Sequence, residues 1–119
     1  MEPHFRVPLN LEHAATVARR IEFMLDDEAG AAAERAVELG ELLRPAQLDE
    51  PAGAEAEALR QAAAAKARAL VAAIAADGVG NDRLGQHVRN LFENLEMGEE
   101  GARLGLVAGE DPTSVQRPR

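Results

Sequence analysis

The fold is decided by residues 54–97, which read AEAEALRQAAAAKARALVAAIAADGVGNDRLGQHVRNLFENLEM. Alanine is the strongest helix former, so the first half of this stretch predicts a long helix over about residues 54–77. Gly78-Val79-Gly80 predicts the end of that helix, and Asn81 is a good N-cap for the next one. The next helix has the clearest amphipathic pattern in the chain, with apolar residues at Leu84, Val88, Leu91, Phe92 and Leu95. We therefore expect two helices that meet at a glycine corner and pack their apolar faces together.

The Ala-rich helix carries small residues on both of its faces. The stripe that we expect to be buried consists of Ala56, Leu59, Ala63, Ala67, Leu70 and Ile74. The face that we expect to point outward carries Ala64, Ala65, Ala72 and Ala75. Small side chains allow another helix to approach closely. The helix is therefore either the central one of the bundle or the contact of an oligomer, with Ala64 and Ala72 at the interface.

The first half of the chain predicts one or two further helices. Asn10 is a good N-cap, and the apolar residues that follow it recur at helical spacing. Acidic residues destabilise the end of a helix and stabilise the start of the next one, so the run Asp26-Asp27-Glu28 predicts a break near this point. We expect Asp27 to cap a second helix that ends at Pro45. One continuous helix through Leu43 is the alternative.

The whole sequence predicts one all-α domain. We expect a mostly antiparallel bundle of three or four helices over residues 10–98, with an extended arm before it, residues 1–9, and a flexible, partly disordered tail after it, residues 99–119. No apolar run approaches the roughly 18 residues of a membrane span, and the first residues do not resemble a signal peptide. The chain has no cysteine, which excludes disulfides and thiolate metal sites. These features favour a cytoplasmic protein with no membrane contact.

The net charge of −8 lies entirely in the first half of the chain. Residues 1–59 contain 5 arginines and 13 acidic residues, whereas residues 60–119 contain 8 basic and 8 acidic residues. The acidic half repels phosphate backbones and anionic lipid, so it disfavours nucleic acid and favours a basic protein partner. The only aromatic residues are three phenylalanines, too few for a base-stacking platform.

Two apolar features have no obvious place in a single small bundle. Phe5, Val7 and Leu9 alternate with polar residues or proline along the arm, and Phe23 falls on the polar face of the first helix. Aromatic side chains dominate the energetics of interfaces. Our leading hypothesis is therefore a non-enzymatic interaction or assembly module without a cofactor. The partner is either a second copy of the chain, in a homodimer, or another protein. The hypothesis includes an acidic regulator that binds a basic partner.

A second hypothesis arises from residues 78–88, GVGNDRLGQHV. This segment resembles the turn and recognition helix of TetR-type repressors. The resemblance implies a DNA-binding regulator with a helix-turn-helix over residues 71–92, in which Asn81, Arg83, Gln86 and Arg89 face the major groove. The same residues also fit an ordinary corner between two helices, with a glycine C-cap and an asparagine N-cap.

A third hypothesis is a small metal-dependent hydrolase built on glutamate pairs. Glu38 and Glu41 are three residues apart, as are Glu93 and Glu96, and Glu34 extends the first pair. All-α hydrolases and di-metal bundles hold divalent ions with carboxylates of this kind, provided that the pairs converge inside the bundle. These glutamates lie off the predicted apolar stripes, so we expect a solvated charged face instead.

Overall fold

The computed structural model describes residues 9–26, 30–49 and 51–111, and these residues form five helices without a strand. The helices are α1 (Leu11–Met24), α2 (Ala31–Leu48), α3 (Gly53–Asp77), α4 (Asp82–Glu93) and α5 (Gly98–Val107). The predicted all-α fold is confirmed. Within the described ranges, no helix is both long enough and apolar enough to cross a membrane. The predicted arm contacts Phe5 and Val7 lie outside these ranges.

The order of packing follows the order of the chain. α1 packs against α2, α2 against α3 and α4 against α5, while α1 also contacts α4 and closes the bundle. The resulting body is flat, with extents of 39 × 37 × 18 Å. One core of aliphatic side chains and Phe92 runs through all of these contacts. The first half of the chain forms two helices, α1 and α2, and not the single continuous helix that was the alternative.

Asn10 and Asn81 cap their helices as predicted. The Asn10 Oδ1 atom accepts a hydrogen bond from the His13 N–H at 2.9 Å, and the Asn81 Oδ1 atom accepts one from the Leu84 N–H at 2.8 Å. Gly78 ends α3 in the left-handed conformation, with φ of 68°, which costs glycine nothing. These three residues therefore fix both ends of the glycine corner and the start of the bundle.

The end predicted for the second helix is wrong. α2 continues past Pro45 to Leu48, and the Pro45 carbonyl accepts a hydrogen bond from the Asp49 N–H at 3.0 Å. Inside a helix, proline lacks its own N–H and its ring crowds the carbonyl four residues earlier, a loss of about 3 kcal/mol. Pro45 is exposed, whereas Ala46 beside it is buried against the core.

The start of α2 is held by a residue distant in sequence. The Asp77 Oδ2 atom, at the end of α3, accepts a hydrogen bond from the Ala32 N–H at 2.9 Å. The N-cap position is Gly30, which has no side chain to fill this role. The cap that we predicted from sequence, Asp27, lies outside the described residues. Asp77, at the end of α3, therefore caps α2 from a neighbouring helix and joins the two helices.

Replacing Asp77 by alanine is expected to lower the free energy of unfolding by about 1 kcal/mol, the usual cost of losing a cap. Urea unfolding followed by circular dichroism measures this change, and Asp77→Asn should recover most of it because the amide oxygen still accepts. Asp49→Ala, at an exposed carboxylate, is the matched control with an expected change within about 0.5 kcal/mol. Equal effects of Asp77→Ala and Asp49→Ala would contradict the cap.

The fifth helix lies within the segment that we expected to be a tail. α5 packs against α4, and it contacts α3 through a bidentate ion pair in which Arg68 Nε donates to Glu100 Oε2 at 2.6 Å. This hydrogen bond lowers the pKa of the Glu100 carboxyl. Residues 108–111 then return along the start of α4, so residues 98–111 belong to the folded body.

Candidate functional site

Phe23, near the end of α1, is one of the two most exposed large apolar residues of the described ranges, the other being Leu48. The Phe23 side chain is 81% exposed, although the rest of the aromatic and aliphatic residues of α1 pack inward. Residues three or four positions apart share one side of a helix, so Arg19 and Arg20 lie beside Phe23 on the exposed side. The sequence prediction that Phe23 lies on the polar face of the first helix agrees with this position.

An open groove runs between α1 and α4 along one side of Phe23. Its volume is about 380 Å³. The groove is lined by Thr16, Arg19, Arg20, Phe23, Met24, Arg83 and His87. The contact between α1 and α4 forms the groove, because it brings the end of the first helix next to the start of the fourth. The lining therefore combines an aromatic ring and a thioether with three guanidinium groups.

The groove is electropositive on a chain that is acidic overall. Within the described ranges, Arg20 and Arg83 have no ion-pair partner. The Arg19 Nε atom is 3.8 Å from the Glu22 Oε1 atom, which makes this a loose and exposed ion pair. The pKa of His87 is lowered, first by its burial and then by the charges of Arg20 and Arg83. Three arginine charges therefore face one cavity without local neutralisation by a tight ion pair.

A second, smaller hollow lies on the other side of Phe23. It has a volume of about 170 Å³ and is lined by Arg19, Glu22, Phe23 and Asp26. Phe23 thus forms a ridge between a basic groove and a hollow of mixed charge. We call the groove, the hollow and this ridge together the Phe23 face.

Three of the four residues predicted to contact DNA are instead engaged in contacts within the chain. Asn81 is occupied as the cap of α4, and Gln86 donates a hydrogen bond to the Asp82 carboxylate at 3.0 Å. Arg89 is held in a bidentate ion pair with Glu110, whose side chain is completely buried. Arg83 is exposed and has no ion-pair partner in the described part of the chain.

The start of α4, which would enter a DNA groove, lies against the segment after α5 on one side, although Asn81, Asp82 and Arg83 are exposed. The Ala108 carbonyl lies against Gly80, and the Asp111 N–H donates to Asp82 at 2.6 Å. Farther along, Gly85 of α4 lies against Gly105 of α5. The resemblance to a helix-turn-helix therefore extends to the glycine turn and the asparagine cap, while α5 packs on the helix that would read bases.

The predicted oligomer contacts are dispersed. Ala72 is exposed on α3, as predicted, and Leu9 is partly buried against the core of its own chain. The outward position predicted for Ala64 is wrong, because this residue is fully buried. α3 packs against three other helices, so its buried stripe is wider than one amphipathic pattern indicates.

The glutamates of the hydrolase hypothesis lie outside the core. Glu34, Glu41 and Glu96 are exposed, whereas Glu38 pairs with Arg35 at 2.7 Å and Glu93 lies 3.7 Å from Arg89. In the residues that the structure describes, no three histidine, aspartate or glutamate side chains converge on a point that could hold a metal ion.

Two features of this surface were not found from the sequence. One is the convergence of Arg20 with Arg83 and His87, and the other is the ion pair between Arg89 and Glu110. The spacing of Arg19 and Arg20 at i−4 and i−3 from Phe23 indicates that they lie beside it, but it gives no signal that Arg20 meets Arg83 and His87. No local pattern could indicate the second.

The chain matches no protein-family model, no curated protein and no solved structure. Its own geometry is therefore the basis for assigning a function.

Proposed function

We propose that this chain is a non-enzymatic protein-interaction module that binds its partner through the Phe23 face. The observation that carries the proposal is the 81% exposure of Phe23 beside a groove of about 380 Å³. Single exposed apolar residues are common, but Phe23 also lines an open groove that a partner side chain could enter. Burying such a ring contributes about 1.5–3 kcal/mol, enough for it to serve as an anchor.

The composition of the face supports binding to protein. Arginine and aromatic residues are enriched among the residues that contribute most to interfaces, and Arg19, Arg20 and Arg83 surround Phe23. Guanidinium groups also pack against aromatic rings and pair with carboxylates. The partner that fits is a protein segment with an apolar side chain and nearby carboxylates. This differs from the basic partner that the acidic first half of the chain favours.

A photoreactive side chain at position 23 tests this proposal. Benzophenone-phenylalanine at Phe23 preserves an aromatic ring, and irradiation in an extract of the native cells is expected to give discrete covalent protein adducts. The same group at Leu48, which is 84% exposed on α2, is the matched control and should give few adducts. Excess unlabelled chain should suppress the adducts at position 23, whereas excess Phe23→Asp chain should not. Equal labelling at positions 23 and 48 would refute the proposal.

A further inference from the structure

One stripe of the Phe23 face, made of Arg19, Phe23 and Asp26, is complementary to itself. Arg19, Phe23 and Asp26 are spaced i, i+4, i+7, and all three border the smaller hollow, so they lie along one side of α1 and the turn after it. This stripe has a positive end, an aromatic centre and a negative end. When two copies meet antiparallel about a two-fold axis at Phe23, Arg19 of each copy lies next to Asp26 of the other.

The groove provides a place for the aromatic ring of the second copy. A cavity of roughly 150 Å³ is enough to hold a benzene-sized ring, and the groove has about 380 Å³. Arg20 and Arg83 line it without ion-pair partners in the described ranges, so their guanidinium planes are free to pack against the face of a ring. Because the contact is two-fold symmetric, each ring fills the groove of the other copy.

We infer that the chain forms a homodimer in which each Phe23 occupies the groove of the second copy and each Arg19 pairs with the second copy's Asp26. This inference rests on the proposed function, since it names the partner of the same face. An acidic segment of another protein would pair with Arg19, Arg20 and Arg83, but Asp26 would repel it. A second copy uses both ends of the stripe, which is why we favour it.

Sedimentation velocity of the purified chain, from micromolar to millimolar concentration, tests the inference. We expect a monomer–dimer equilibrium. Phe23→Asp should weaken dimerisation at least about 30-fold, because it places a charge at the centre of the interface. Arg19→Glu and Asp26→Arg should each weaken it about tenfold, and the double variant should restore near-native association, since both symmetric pairs are then reversed. Leu48→Asp, at an exposed apolar residue that lines neither the groove nor the hollow, is the control and should change nothing.

The outcomes separate this inference from the proposed function. A strict monomer at millimolar concentration overturns the dimer, and so does a dimer that Phe23→Asp leaves unchanged or a double charge reversal that does not restore association. Circular dichroism of each variant shows whether it has folded, and the charge reversal supplies a gain of association that misfolding cannot mimic. If the purified chain is monomeric while position 23 still labels a different protein in the extract, the dimer fails and the proposed function stands.

Discussion

Replacing Gly85 by alanine should lower the free energy of unfolding by about 2 kcal/mol. A methyl group at this position would lie 2.6 Å from the Glu110 Cβ and closer still to two backbone atoms, the Gly105 carbonyl oxygen and the Glu110 nitrogen. Backbone atoms cannot rotate away, so α5 and the segment after it must shift, at a cost of about 3 kcal/mol. The higher helix propensity of alanine offsets about 1 kcal/mol of this cost.

Urea unfolding followed by circular dichroism at one fixed protein concentration measures this difference. Gly98→Ala is the matched control, because its new methyl group would have only the Glu93 Cγ nearby, at 3.8 Å. We expect the control to be neutral or slightly stabilising. If Gly85→Ala were as stable as Gly98→Ala, the close crossing of α4 and α5 would be wrong.

Two glycines inside α5 explain why the sequence predicted a tail where the structure has a helix. Gly101 and Gly105 lie inside α5, and glycine disfavours a helix by about 1 kcal/mol relative to alanine. Local propensity therefore argued against a helix over residues 98–107. The glycines are required by tertiary packing: a methyl group at Gly101 would lie 2.6 Å from the Phe92 Cβ, and one at Gly105 would lie 2.9 Å from the Gly85 carbonyl oxygen. Information of this kind is absent from local sequence patterns.

The parts of the fold that the sequence predicted well depend on local interactions. The side-chain caps at Asn10 and Asn81 and the glycine end of α3 are each set by residues within one helical turn. The cap of α2 by Asp77 and the burial of Ala64 depend instead on how whole helices pack. Periodicity gives one face of a helix, and it does not tell how many neighbours cover that helix.

The candidate site likewise has one part that local sequence predicts and one part that depends on how the helices pack. The exposure of Phe23 follows from its position on the helical wheel, so the sequence was sufficient to predict it. The groove beside Phe23 needs Arg83 and His87 from α4, far along the chain, and the direction in which α4 crosses α1 decides whether they meet Arg20. The acidic character of residues 1–59 indicated a basic partner. The charges around Phe23 are locally basic, because net charge does not describe a single face.

Replacing Glu110 by alanine should produce the largest loss of stability, about 3 kcal/mol. The Glu110 side chain is completely buried, and both of its oxygens accept hydrogen bonds from Arg89, the shortest being 2.7 Å from Nη2. Removing one member of a buried pair leaves the other charge partly desolvated, which costs about 3–5 kcal/mol. Arg89 is 30% exposed and can regain some hydration, so we expect the lower end of that range.

Urea unfolding of three further variants shows where the loss arises. Glu41→Ala removes an exposed carboxylate of α2 and should change stability by less than about 0.5 kcal/mol. Glu110→Gln keeps an acceptor for Arg89 and should lose less than Glu110→Ala. The double variant Arg89→Met, Glu110→Met removes both charges and fills the space, and such replacements are often neutral. If the double variant were less stable than Glu110→Ala, the cost would come from lost attraction between the two side chains. If it recovers most of the loss, as we expect, the cost comes from the arginine charge left behind, and the ion pair serves to fix residues 108–111 over the start of α4.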